Sequence, residues 1–585
     1  MQIFIQLVKR YKKEVILSPL FKLLEAVFEL FVPLLVAYAI DYGMKQSNQS
    51  VVSGICGMII ILGAVGLLCA ITAQYFAAKA SVKIAGNLRM QVFHKTQILS
   101  YQQLDRFGKD YLITLLNYDI DQIQNGINLT LRLVLRSPLI VFGAGIMAFW
   151  VDVRGGIIFA IIIPCITLVM MIITKFAMPV VLKIQKSMEE LFKIVNENLV
   201  GLKILRAYGV EKREDIDFNK YSEQMKNNQM RHGTIAAFTA PLCSILINLG
   251  IVGILLISKQ RVAVGVMQIG AVIALINYMS QILVEMVKLG TLISSVSKMF
   301  ASYKRVNEFI ETANSEKKYE ENHEGNRTHS SKLPTAIGQV TFRNVTMHYY
   351  NCHEPAIDKL SYVFAKKVYG VIGSSGAGKT TAMLMLRGLY QANQGDILLG
   401  DLPIHEYSSD ELQKYVAMIS QKPVIIEASI RDNLLWGNRK HSDEELMNLL
   451  EKLEMRTFVD KLECGLDTML YVNGNNLSGG QKQRISIARV LLRDAEILIV
   501  DDALSALDAI TEQSIIDLIK EQYKDKIVLL VSQKIVSLKH SDEILVLEDG
   551  RLVSSGPHSV LMKTCSVYQE LYQSQFGTCS EQEVG

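Results

Sequence analysis

Three short stretches in the second half of the chain carry residues whose types and spacing suit phosphate chemistry. In VYGVIGSSGAGKTT a β run ends at Gly373 and opens into Ser374, Ser375, Gly376, Ala377, Gly378, Lys379, Thr380 and Thr381. This matches Gly-x-x-x-x-Gly-Lys-Ser/Thr at every fixed position. The glycines let backbone N–H groups wrap phosphates without Cβ clashes, and the following helix presents its positive end. Lys379 is placed to reach the β- and γ-phosphates of a nucleotide, and the Thr380 hydroxyl to bind Mg²⁺. In the second stretch, EILIVDD, an apolar strand runs into Asp501 and Asp502. In ATP-hydrolysing machines the aspartate ending such a strand holds the magnesium ion, and a second carboxylate positions the attacking water. That second place is held by Asp502, where a longer glutamate is expected. The third stretch, LSGGQKQRISIARVLL, sets Leu477, Ser478, Gly479, Gly480 and Gln481 at the start of a helix, a second anion-binding device. One nucleotide cannot occupy both cradles at once. Two incomplete cradles in one chain point to two domains facing head to tail, each closing the other's site.

These stretches need a scaffold, and the chain is long enough for more than one. At 585 residues it exceeds a single hydrophobic core. Half the residues are hydrophobic and 20% are charged, a balance that fits a membrane half joined to a soluble half. The net charge of +4 argues for no nucleic-acid partner, because the basic residues are spread through loops beside apolar segments. Eight cysteines occur without metal-ligand spacing or a disulfide framework, and Cys56, Cys69, Cys165 and Cys243 read as small buried hydrophobes.

Six apolar stretches, roughly 15–40, 51–79, 133–151, 155–176, 235–258 and 268–292, each come near the ~20 residues a helix needs to cross the hydrocarbon. The connections after the second and fourth are long, helical in pattern and rich in Lys and Arg. The others are short. The positive-inside rule therefore places the long connections and both termini in the cytoplasm. The organisation expected is a transmembrane domain over 1–312, a polar linker over 313–336 and a soluble domain over 337–585. The fold class is a membrane α-helical bundle of six transmembrane helices with long cytoplasmic extensions, followed by an α/β P-loop ATPase domain.

LSGGQ downstream of a P-loop, followed by ILIVDDALSALD, resembles the nucleotide-binding domain of ABC transporters, and six spans with two long cytoplasmic connections resemble the exporter branch in its half-transporter layout. The resemblance covers nearly the whole chain. It implies that Tyr349 stacks on adenine, that Gln421 senses Mg²⁺ and links to the membrane domain, and that Ser505, Ala506, Leu507 and Asp508 touch the opposite site. It also implies that YQQLDRFGKDYL and NLVGLKILRAYGVEKRE are coupling regions. Two positions depart from the pattern: Asp502 stands at the general-base glutamate and Gln533 at the switch histidine. The pairing resembles one subunit of bacterial heterodimeric multidrug exporters. The resemblance implies ATP and Mg²⁺ as cofactors, a second non-identical subunit, a multi-pass plasma-membrane location and an amphiphilic small-molecule substrate. This chain's Walker side would bind nucleotide and hydrolyse it poorly, and its signature would complete the partner's site. A homodimeric exporter hydrolysing slowly through Asp502, and an ATP-gated channel or regulator, are the rival readings.

In the first span Glu25 and Glu29 share a helix face, with Lys22 one turn earlier; Glu285 and Lys288 recur in the sixth. Intramembrane carboxylates face a bundle interior or a wet cavity. Glu25, Glu29 and Glu285 are read either as a substrate cavity drawing cationic amphiphiles or as a polar cluster near the cytoplasmic end.

Overall fold

A computed structural model describes residues 9–45, 48–324, 337–437 and 441–577. It divides into two compact units, Met1–Ile98 with Lys109–Ser315 and Leu99–Gly108 with Glu316–Gly585.

The first unit is helical. Its helices are α1 (Lys12–Tyr38), α2 (Gln49–Gln97), α4 (Lys109–Thr114), α5 (Ile120–Leu133), α6 (Arg136–Val151), α7 (Val153–Tyr208), α8 (Glu211–Ala237), α9 (Thr239–Ala263) and α10 (Ile269–Glu324), while α3 (Tyr101–Phe107) packs with the second unit. Among the described residues, six helical columns are long and apolar enough to cross a membrane. Helix α2 has 49 residues, about 74 Å at 1.5 Å per residue, against about 30 Å of hydrocarbon. Its polar remainder must therefore project into water. Helix α10 continues to Glu324, inside the stretch read as linker, and 325–336 lie outside the described residues. Small side chains let the helices approach closely: Ala26, Ala144, Ala148 and Ala274 are buried beside Phe159, Tyr278 and Met279. Of the four cysteines read as buried, Cys69 and Cys243 are; Cys56 and Cys165 are exposed on the bundle, where an apolar side chain is as well suited to lipid.

Charged groups inside this bundle pair both across helices and within one turn of a helix. Arg136, at the start of α6, donates to Glu285 at 2.8 Å and Glu29 at 2.7 Å, with Glu25 at 3.8 Å. Lys22 pairs with Glu25 at 2.5 Å, Lys288 with Glu285 at 2.8 Å, and the Ser137 hydroxyl donates to Glu285 at 2.6 Å. Nearby, Tyr278 donates to the Leu30 carbonyl, and the Gly270 N–H to Asp41. Removing one partner of a buried ion pair leaves an uncompensated charge, which costs roughly 3–5 kcal/mol. Arg136→Met should therefore lower the thermal midpoint of the detergent-solubilised protein sharply, and Arg136→Met combined with Glu285→Gln should recover part of the loss. A double variant as unstable as the single would show that charge balance is not what Arg136 supplies.

The described residues of the second unit form two sheets. A four-stranded antiparallel sheet has the order β2 (Ile357–Ala365), β1 (Gln339–Met347), β4 (Gln394–Leu399), β5 (Leu402–Pro403). The larger sheet has the order β10 (Arg551–Gly556), β9 (Glu543–Glu548), β3 (Val368–Gly373), β8 (Ile527–Val531), β7 (Ile497–Asp501), β6 (Val416–Ile419), parallel except for β10. Strands β3, β7 and β8 are buried along their whole length, as their unbroken apolar runs require of central parallel strands. Because β8 lies between β3 and β7, the segments leaving these strands emerge side by side at the carboxyl edge, where open α/β sheets bind ligands. Helices α11 (Lys379–Leu386), α12 (Gly479–Leu491), α13 (Ala509–Gln522) and α14 (Ser566–Phe576) complete what the site uses.

Candidate functional site

The phosphate cradle follows β3. Gly373 is buried against β9, where a Cβ would meet the Leu547 carbonyl oxygen at 2.2 Å; Gly378 has φ +87° and a Cβ there would meet the Ala356 oxygen at 2.5 Å. No other residue fits either position. Ser374, Ser375 and Gly376 are exposed, whereas Ala377 and Thr381 are buried. The Lys379 ammonium donates to the carbonyls of Gly373 and Ser374, both at 2.8 Å. Burial holds its pKa below the ordinary lysine value, against the pull of Asp502 and Asp501. A phosphate entering the loop would replace two carbonyl acceptors with a full negative charge, a stronger partner.

Thr380 donates to Asp501 at 3.0 Å, joining the start of α11 to the end of β7. Asp501 is 2% exposed. Burial raises its carboxyl above the usual range, partly offset by the Thr380 bond, with Asp502 adding repulsion. Asp502 is raised by burial too, offset by Gln421, whose amide donates to it at 3.1 Å. Asp502 has φ +47°, and its N–H is held by the Val531 carbonyl, so its direction is fixed by backbone rather than by rotamer choice. A hard-oxygen set with a buried carboxylate seeking a cation fits Mg²⁺, which takes one or two carboxylates plus phosphate oxygens.

Both carboxyls bind protons more tightly in the folded chain, so the stability they contribute is present below the unfolded value of about 3.9 and is lost as pH rises through the raised folded values. Asp501→Asn should raise the thermal midpoint of the nucleotide-free protein at pH 7, and the gain should fade as pH approaches 4. An equal gain at both pH values would show that charge is not the cause.

Tyr349 is half-buried; its hydroxyl lies 2.9 Å from the Thr381 hydroxyl and its ring stands edge-on to Tyr390 at 5.4 Å. Tyr390 donates to Asp105 of α3 at 2.6 Å, and Arg106 sits 5.6 Å from the Tyr350 ring. The first stretch read as a coupling region comprises the short helix α3, begun by a Ser100–Gln103 capping box and ended at Gly108, and the start of α4. The second is no separate helix: α7 runs to Tyr208, the chain turns at Gly209, and α8 begins at Glu211.

The signature lies apart from this cradle in sequence and hydrogen bonding. Ser478 caps α12 in a reciprocal box, accepting from the Gln481 N–H at 3.3 Å while its own N–H donates to Gln481 Oε1 at 2.8 Å. Leu477 is buried; Ser478 and Gly479 are exposed, Gly480 half-buried. Ser505 donates to the Asp502 carbonyl, Ala506 is exposed, Leu507 is buried, and Asp508 caps α13 through the Thr511 N–H at 3.0 Å. Gln533 follows β8 with its side chain exposed. Direct hydrogen bonds join Thr380 to Asp501 and Gln421 to Asp502, Lys379 is bonded within the loop at Gly373 and Ser374, and Glu25, Glu29 and Glu285 gather around Arg136. Sequence reasoning missed Arg136 because it falls at the edge of an apolar run, where a basic residue reads as a loop charge.

Known proteins share this architecture. Residues 15–286 match a family model described as ABC transporter transmembrane region, and 359–505 one described as ABC transporter. The chain is 31% identical over 582 residues to the ABC transporter ATP-binding protein YfiB of Bacillus subtilis (strain 168), covering 99% of each. It is 27% identical over 540 residues to the ATP-dependent lipid A-core flippase of Photorhabdus laumondii, covering 92% of this chain and 91% of that protein. A solved structure of a bacterial Atm1-family ABC exporter with ATP bound shares the fold, with a TM-score of 0.79 at 19% identity, over 98% of this chain and 99% of that one.

Proposed function

The chain belongs to the ABC transporter family, and we propose that it is one half of a heterodimeric exporter whose own Walker side binds Mg·ATP and turns it over slowly. The observation that carries this reading is the second carboxylate. Asp502 takes the place of a glutamate, its backbone is pinned to Val531, and its carboxylate ends on Gln421. One methylene fewer draws a carboxylate back by roughly 1–1.5 Å, and displacement of that size costs about 100-fold. Gln533 can donate a hydrogen bond to a γ-phosphate but supplies no positive charge near neutral pH.

A second subunit is supported by what this chain leaves uncovered. Ser478 and Gly479 are exposed, Ile510 beside the Asp508 cap is 81% exposed, and α8 buries none of its residues. Helix α7 exposes Phe192, Leu199, Val200 and Ile204 on a stretch bearing Lys193 and Lys203, too basic to be all lipid-facing. We take 1–312 as the transmembrane domain, 313–336 as the linker and 337–585 as the nucleotide-binding domain, with the latter and both termini cytoplasmic.

In this reading Tyr349 stacks on the base, and residues 373–381 hold the phosphates. Thr380 and Asp501, with Gln421, would hold Mg²⁺, which supplies charge neutralisation at the phosphates. Asp502 orients water imperfectly, and Ser478 with its neighbours caps the partner's nucleotide. Bound ATP favours closed domains only through its higher affinity for the closed state, and the partner's hydrolysis removes that bias. The cargo is an amphiphilic small molecule.

Purifying this chain alone and measuring Mg·ATP hydrolysis with oligomeric state tests the reading. Binding with negligible turnover is expected. A stable homodimer turning over at about one per second, within ordinary enzyme rates, would reject it in favour of a homodimeric exporter. ATP-dependent uphill accumulation of a dye in inverted vesicles separates a pump from a gated channel.

A further inference from the structure

The loop after β8 is held from a direction the nucleotide site does not explain. Gln575, in the last turn of α14, uses both ends of its amide on it: Nε2 donates to the Gln533 carbonyl at 2.7 Å, and Oε1 accepts from the Ile535 N–H at 2.9 Å. The two bonds span Lys534, from the Gln533 carbonyl on one side to the Ile535 N–H on the other. The rest of the loop is tied down independently. The Ser532 N–H donates to the Val371 carbonyl of β3, and the Lys534 N–H to the Ser532 hydroxyl at 3.0 Å. The Lys534 ammonium lies 3.4 Å from Glu512 of α13, which also accepts from the Ser537 hydroxyl.

Helix α14 is a firm platform for this clamp. Tyr568 is fully buried, and its hydroxyl meets His558 at 2.8 Å; Tyr572 packs partly buried on the same core. Gln575 follows Tyr568 by seven residues and Tyr572 by three, spacings that share one helix face. The face that anchors α14 therefore also presents Gln575 to the loop. The Gln533 side-chain amide itself has no hydrogen-bond partner among the described residues, so the clamp fixes its backbone and leaves its donor available.

We propose that Gln575 is a positioning residue for the ATP site: it sets where the Gln533 amide meets a γ-phosphate, and so makes α14 part of the nucleotide switch. This rests on the reading of Gln533 as a γ-phosphate contact. The substitution of histidine by glutamine makes the clamp matter more, because a neutral amide depends on direction and distance whereas an imidazolium also attracts at long range.

The test is an equilibrium one, so slow hydrolysis does not obscure it. The full-length chain in lipid nanodiscs is titrated with ATPγS and with ADP, and the affinity ratio is taken for wild type, Gln533→Ala, Gln575→Ala and the double variant. Gln575→Ala is expected to lower the preference for ATPγS about three- to tenfold, the scale of one or two lost hydrogen bonds, without changing ADP affinity, and the double variant should be no worse than Gln533→Ala. Amide exchange of the Gln533–Ile535 loop should rise in Gln575→Ala while exchange around Tyr568 stays unchanged, separating a released loop from an unfolded helix. If Gln533→Ala lowers the ratio and Gln575→Ala does not, or if the two losses add, the clamp is overturned while the role of Gln533 stands. If Gln533→Ala leaves the ratio unchanged, the γ-phosphate reading fails, and the clamp's function with it.

Discussion

Ser478→Asp should reduce ATP hydrolysis by the assembled transporter by about 1,000-fold without unfolding the domain. Ser478 has two tasks that alanine would remove together: it caps α12 through the Gln481 N–H, and in the proposed heterodimer it faces the partner's γ-phosphate. Loss of a serine cap costs about 1 kcal/mol, so reduced activity in Ser478→Ala is open to a stability explanation. Aspartate caps as well as serine and is favoured by the helix dipole, so the fold survives. Its carboxylate near a γ-phosphate, however, is repelled by about 4 kcal/mol at 4 Å and an effective dielectric of 20, which is close to three decades in the closing equilibrium. ATPase assays on the assembled pair, with the thermal midpoint measured in parallel, read the two effects separately. Retained hydrolysis with retained stability would mean that the signature of this chain meets no hydrolysed nucleotide, and the proposed division of labour would be wrong.

Asp502→Glu should raise single-turnover hydrolysis at this chain's own site by about 10- to 100-fold, most clearly when combined with Gln533→His. The added methylene returns the carboxylate toward the water position, reversing the retreat that the shorter aspartate imposes. Two features limit the gain. The Asp502 carboxylate is partly occupied by the Gln421 amide, and its backbone sits at φ +47°, a region that aspartate tolerates better than glutamate. The histidine contributes charge that glutamine lacks, so the pair should exceed either single change. Rapid-quench measurement with protein in excess over ATP isolates this site from a faster one. An unchanged rate in the double variant would place the slow step in domain closure rather than in the chemistry. Asp502→Asn, by contrast, should cost the assembled transporter far less than Ser478→Asp does.

Much of this architecture is legible in the sequence, because it is encoded locally. The Gly-x-x-x-x-Gly-Lys-Thr spacing, the Ser478–Gln481 box and the Asp508 cap are read from residues within a few positions of one another, although it is Leu547 and Ala356 that leave no room for a side chain at Gly373 and Gly378. Six unbroken apolar runs of sufficient length become helices because a helix satisfies its backbone within the segment. The division into a membrane bundle and an α/β domain follows from the same composition and periodicity. Pairings across long stretches of chain were decided by the tertiary structure. Arg136 reaches Glu29 over 107 positions and Glu285 over 149. Asp105 meets Tyr390 over 285 positions, so residues 99–108 cluster with the soluble unit although they lie within 1–312. Gln575 meets Gln533 over 42. Propensity and pattern set which face of a helix is apolar, but which polar groups meet across two elements depends on the rotation and register with which those elements pack, and only the assembled core determines that.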